Sequence, residues 1–142
     1  MNETRGLWRG KRVDNGEWIK GFYSSEEYNL AINCIEHIPR IQELGKCVSL
    51  GVVPETLGEC TGLTDKNGKL IFEGDIIRYK KHLFCIEWSA DICSFTSRAL
   101  DGANFMPCMN VGTMKNYEVI GNIHDNSELL PVHGEDGESN AR

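Results

Sequence analysis

Apolar and polar positions alternate in short runs along the chain, and the alternation predicts strands. Leu7-Trp8-Arg9-Gly10-Lys11-Arg12-Val13 and Glu17-Trp18-Ile19-Lys20-Gly21-Phe22-Tyr23 flank Asp14-Asn15-Gly16. Asn-Gly supplies residues that tolerate the positive φ a hairpin turn needs, and aromatic and β-branched residues flank it. This segment reads as a hairpin whose outward positions carry the basic residues. A second hairpin is predicted where Gly62-Leu63-Thr64 and Lys69-Leu70-Ile71-Phe72 are joined by Asp65-Lys66-Asn67-Gly68, with Asp65 placed to accept from turn amides. After the sharp turn at Gly74-Asp75, strands are predicted at 76–79, 83–88, 93–100 and 117–123. The stretch 105–114 reads as irregular, with one helical turn.

Residues 24–53 are less decisive. Ser24-Ser25-Glu26-Glu27 has the form of a helix capping box, which argues for a helix to about Ile38. Tyr28, Leu30, Ile32 and Cys34 alternate with their neighbours, which argues for a strand, and the strand is the expectation here. Pro39 ends it, Gln42-Glu43-Leu44-Gly45 reads as loop, and Cys47–Val53 is an apolar run ended by Pro54. Buried positions are expected at Trp18, Leu63, Ile71, Ile77, Phe84, Trp88, Val119 and Ile120. Short strands with Gly- and Asn-rich turns predict a mainly β fold. The reading divides the chain into an N-terminal β subdomain over 1–58, a small barrel over 59–131 and a tail over 132–142. The tail has almost no apolar content and is expected to be disordered.

Composition changes the picture in two places. The chain has 142 residues, and a domain of that size buries roughly 68% of its unfolded surface, so it needs no disulfide or metal to fold. Six cysteines and no apolar leader therefore read as free thiols in a cytoplasmic protein. Net charge is −6, which opposes phosphate binding by the whole surface. The first twenty residues are the exception, since Arg5, Arg9, Lys11, Arg12 and Lys20 outnumber Glu3, Asp14 and Glu17.

Candidate chemistry is sparse. The nearest cysteine pair is Cys85 and Cys93, too far apart for zinc-ligand spacing, and Cys34 with His37 has no second pair. The glycine spacing of a phosphate loop is missing. No cysteine–histidine or carboxylate pair is singled out as catalytic. No catalytic residue, metal ligand or cofactor is expected. The candidate binding residues are Trp8, Arg9, Lys11 and Arg12, where cations interleave with aromatics beside Trp18. The bland alternative buries the tryptophans and leaves the cations in water.

Four stretches resemble the YopX family of small phage and prophage proteins. They are Trp8–Arg12 with Asp14–Trp18, Val53–Gly58, Thr61–Ile77 and Tyr117–Leu130. The third is the most specific, with agreement over many consecutive positions. The last departs from the family pattern, which has Pro before Glu-Leu-Leu where this chain has Ser127. The resemblance implies a β-rich fold with an SH3-like barrel in the C-terminal half, a phage or prophage origin and a bacterial cytoplasm. It implies no catalytic residue. The functional expectation is a non-enzymatic interaction module for a phage or host protein, by strand addition at an exposed edge. The alternative is a nucleic-acid-associated protein that uses the basic hairpin. Self-association at an open edge is a further expectation.

Overall fold

A computed structural model describes residues 6–24, 39–46 and 48–131. The protein is mainly β, with ten strands in two antiparallel sheets and one short helix among the described residues. It divides into two compact units. Unit 1 is Met1–Leu63 with Leu70–Glu73, and unit 2 is Thr64–Lys69 with Gly74–Arg142. The strand or helix expected over 24–38 falls outside the described residues from 25 onward, as does the tail from 132.

Unit 1 is built on β1 (Leu7–Lys11), β2 (Trp18–Ser24), β3 (Arg40–Glu43), β4 (Ser49–Gly51), β5 (Gly58–Thr64) and β6 (Leu70–Phe72). Their order in the sheet is β4-β3-β2-β1-β5-β6. The first hairpin forms as the sequence predicts. Arg12 donates its backbone N–H to Glu17, and Gly16 takes φ 76°, which a side chain would resist. Opposed pairs Leu7–Phe22, Arg9–Lys20 and Lys11–Trp18 share one face, while Trp8–Gly21 and Gly10–Ile19 share the other. The second face holds the core of the unit: Ile19, Ile41 and Val52 are buried, with Trp8, Leu50 and Leu57 packed against them. Gly21 is needed for that packing, because a Cβ there would collide with the Gln42 carbonyl of β3. An isolated bridge from Arg12 to Val52 draws the end of β1 towards the residue after β4. The loop expected at 42–45 is corrected in part. Gln42 and Glu43 complete β3, because fully buried Ile41 fixes a strand that pairs with both β2 and β4.

Unit 2 contains β7 (Asp75–Tyr79), β8 (His82–Ser89), β9 (Ser94–Ala99), α1 (Val111–Met114) and β10 (Glu118–Asn122). The sheet order is β10-β7-β8-β9, so the last strand returns to the first of a three-strand meander. Buried Ile76, Cys85 and Leu100 carry one core cluster, with Ile120, Ile123 and Leu129 packed on it. On the other side Phe84 meets the rings of Phe105 and Tyr117, and Tyr117 stacks on Tyr79 at 5.0 Å.

The burial expectations are met at Ile71, Ile77, Phe84 and Val119, while Trp18, Leu63 and Ile120 are half-buried. Trp88 is a correction, at 48% exposed. It shares the face of buried Phe84 and Ile86, as the alternation predicts. It lies one residue from the end of β8, beyond the reach of the core.

Candidate functional site

The expected N-terminal patch does not exist as one surface. Strand alternation puts Trp8 on the core face of unit 1, half-buried and 5.4 Å from the ring of Tyr23. Trp18 lies on the opposite face with Arg9 and Lys11. The expectation that Arg9 faces water is wrong, since Arg9 is only 8% exposed. Its guanidinium sits 4.7 Å from the Trp18 ring centre and 4.9 Å from that of Phe72, and its Nη2 donates to the Glu73 carbonyl at 3.4 Å. The cause is local. Arg9 shares a face with buried Leu7, and Phe72 of β6 covers that face. Lys11 Nζ lies 5.5 Å from the Trp18 ring, and Lys20 Nζ 5.6 Å from the Phe72 ring. Each ring therefore already meets two cations, which leaves little π surface for a base to stack on. Arg12 is spent locally as well. It donates through Nε and Nη2 to both carboxylate oxygens of Asp14, at 2.9 and 2.7 Å, and that hydrogen bond holds the Asp14 carboxyl below the usual carboxylate range. Arg5 lies outside the described residues.

The Thr61–Asp75 stretch contains a structural latch. Asp65 is buried, and its Oδ1 accepts from the N–H groups of Asn67 and Lys69 in the turn. The sequence predicts that much. What it does not reveal is that Oδ2 accepts from the Val119 N–H at 2.8 Å, across 54 residues of chain. Burial pushes the Asp65 carboxyl up, but the hydrogen bonds from Val119, Lys69 and Asn67 outweigh it and hold the pKa below the usual value. Together with the Lys66 N–H donating to the Tyr117 carbonyl, and Asn126 Oδ1 accepting from the Asn122 N–H, this occupies the outer edge of β10. The sheet of unit 2 is thus blocked against strand addition on that side.

The opposite side of unit 2 differs. Trp88 and Phe95 face each other across the β8–β9 pair, with ring centres 5.1 Å apart. Ile92 in the connecting turn is 64% exposed, and Met106 is 62% exposed. Met106–Met109 runs beside Ser94–Thr96, and Ser97 Oγ donates to the Pro107 carbonyl at 3.3 Å. The end of this hairpin therefore presents an aromatic pair, an isoleucine and a methionine to solvent. Sequence reasoning missed it by placing Trp88 in the core. The available signal was Ile92, an apolar residue set in a polar turn.

Among the described residues no cluster of three or more His, Cys, Asp or Glu side chains is arranged to hold a metal ion, and no helix is long and apolar enough to cross a membrane. Cys60 and Cys85 are buried and Cys93 and Cys108 exposed.

A family model described as YopX protein matches residues 7–131. The crystal structure of protein EF1440 from Enterococcus faecalis resembles this one with a TM-score of 0.53 and 23% sequence identity, over 87% of this chain and 96% of that one. That likeness concerns the fold. No curated protein matches the chain.

Proposed function

The chain belongs to the YopX family, and from that membership we propose a phage- or prophage-encoded interaction module, without enzymatic chemistry, that binds a phage or host protein in the bacterial cytoplasm. The observation that carries this reading is the exposed end of the β8–β9 hairpin, where exposed Trp88 packs on Phe95, Met106 shares a cavity wall with Phe95, and Ile92 is exposed in the turn. Aromatic residues and methionine are enriched at protein interfaces, and large apolar groups exposed together mark such sites. The competing nucleic-acid reading needs a continuous positive face at Arg9, Lys11 and Arg12. Arg9 is buried and Arg12 is held by Asp14, which favours the protein partner.

Within this reading, an SH3-like barrel lies within residues 59–131, built on the strands of unit 2. The support is its connectivity: a three-strand meander, a single helical turn, and a last strand that returns to pair with the first. Small barrels of this kind host many functions, so the surface carries the functional claim and the fold does not.

The test is capture of partners from phage-infected or prophage-induced cells on the tagged protein, with and without nuclease. Wild type is expected to retain a protein after nuclease treatment, and Trp88→Ala with Ile92→Ser is expected to lose it. Capture that disappears with nuclease would make the nucleic-acid reading the better one.

A further inference from the structure

Beside the exposed hairpin end, Ser94–Thr96 of β9 and the segment Met106–Met109 enclose an open cavity of about 280 Å³. We propose that this cavity is an anchor pocket that takes one uncharged aromatic side chain from the partner protein. The inference rests on the protein-binding reading above and adds the chemistry of the contact.

Size comes first. Sites for cofactors and drug-sized ligands run from roughly 300 to 1,000 Å³, so a cavity of about 280 Å³ suits a single large side chain better than a whole cofactor. The lining decides the charge. It is formed by Ser94, Phe95, Thr96, two methionines, Pro107 and Cys108, and by no charged residue. A charged group entering it would shed water with no counter-ion to meet. Methionine and aromatic walls favour an aromatic occupant, because the thioether is polarizable and adjusts to the edge of a ring. Ser94 Oγ already donates to the Phe95 carbonyl. The cavity is continuous with the exposed apolar surface, since Phe95 forms part of its wall and packs on Trp88. A pocket bordered by apolar groups that exclude water is where interface energy concentrates.

Cys108 gives a direct readout, because it is exposed and lines the cavity, while exposed Cys93 lies outside the lining. Alkylation of the full chain by iodoacetamide, followed residue by residue with mass spectrometry, is compared with and without N-acetyltryptophanamide at about 10 mM, a concentration chosen for the millimolar affinity of a single-side-chain contact. Alkylation of Cys108 is expected to slow about threefold with Cys93 unchanged, and N-acetyllysinamide is expected to have no effect. Met106→Glu, at an exposed lining position, is expected to abolish the protection. Val111→Glu, exposed and outside the lining, is expected to keep it. No slowing at Cys108, equal slowing at both thiols, or protection that survives Met106→Glu would overturn the proposal. Any of these would leave capture of a partner by the Trp88 surface standing. Intact protection of Cys108 with no protein captured would instead count against the protein-binding reading.

Discussion

Single residues reverse the simple assignment of charge to surface and aromatic to core. Arg9 is buried and in contact with two rings, while Trp88 is half in water. Arg9→Ala is therefore expected to cost stability, by about 1–3 kcal/mol in chemical denaturation, through lost packing and cation–π contact. Trp88→Ala is expected to cost about 1 kcal/mol or less, mainly the ring contact with Phe95, against about 3–5 kcal/mol for Phe84→Ala in the core. Asp65 makes a pH prediction. Its folded pKa is depressed, so its contribution is present above the unfolded value of about 3.9 and is lost as pH falls through the folded value. Asp65→Asn puts an amide donor among three backbone donors. It is expected to cost about 2–3 kcal/mol at neutral pH and to flatten the loss of stability below about pH 4, as read from denaturation midpoints.

At the scale of elements, the turns were the legible part. Asn15-Gly16 and Asp65-Lys66-Asn67-Gly68 form hairpin turns because glycine is needed at positive φ and Asp65 can accept from turn amides. Strand phase was legible too, since Phe84, Ile86 and Trp88 do share a face. What alternation cannot give is how far along a strand the core extends, so Trp88 was misplaced. Nor can it say which distant element covers a face. Arg9 and Leu7 are two apart and must share a side, but only Phe72, more than sixty residues on, turns that side inward. The strand β3 was missed because Arg40–Glu43 is short and its one apolar residue, Ile41, gives no period. Close packing between strands yields one further expectation. Gly21→Ala forces a Cβ into the Gln42 carbonyl and is expected to lower stability by more than about 2 kcal/mol, since the obstructing atom is backbone.

For the whole molecule, the sequence located the family and the β class, but Trp8, Arg9, Lys11 and Arg12 do not form one surface. The basic residues near the N-terminus looked like a patch because they are adjacent in sequence. Folding keeps Arg9, Lys11 and Lys20 on one face, buries Arg9 there against Trp18 and Phe72, and couples Arg12 to Asp14. A phosphate-binding patch of four charges would give a salt slope of about −3.6 on duplex DNA. With the net charge of −6 against it, fluorescence anisotropy at low salt is expected to show no binding tighter than about 10⁻⁴ M, the weak limit of non-specific association. The most direct test of protein recognition through unit 2 is the affinity of the captured partner for wild type and for the Trp88→Ala, Ile92→Ser double variant, by titration calorimetry. The double variant is expected to bind at least about 30-fold more weakly, as loss of an interface hot spot of about 2 kcal/mol requires, with its fold intact by circular dichroism. Affinity within about twofold of wild type, together with loss of binding in Arg9→Ala, Lys11→Ala, Arg12→Ala protein that remains folded, would contradict it.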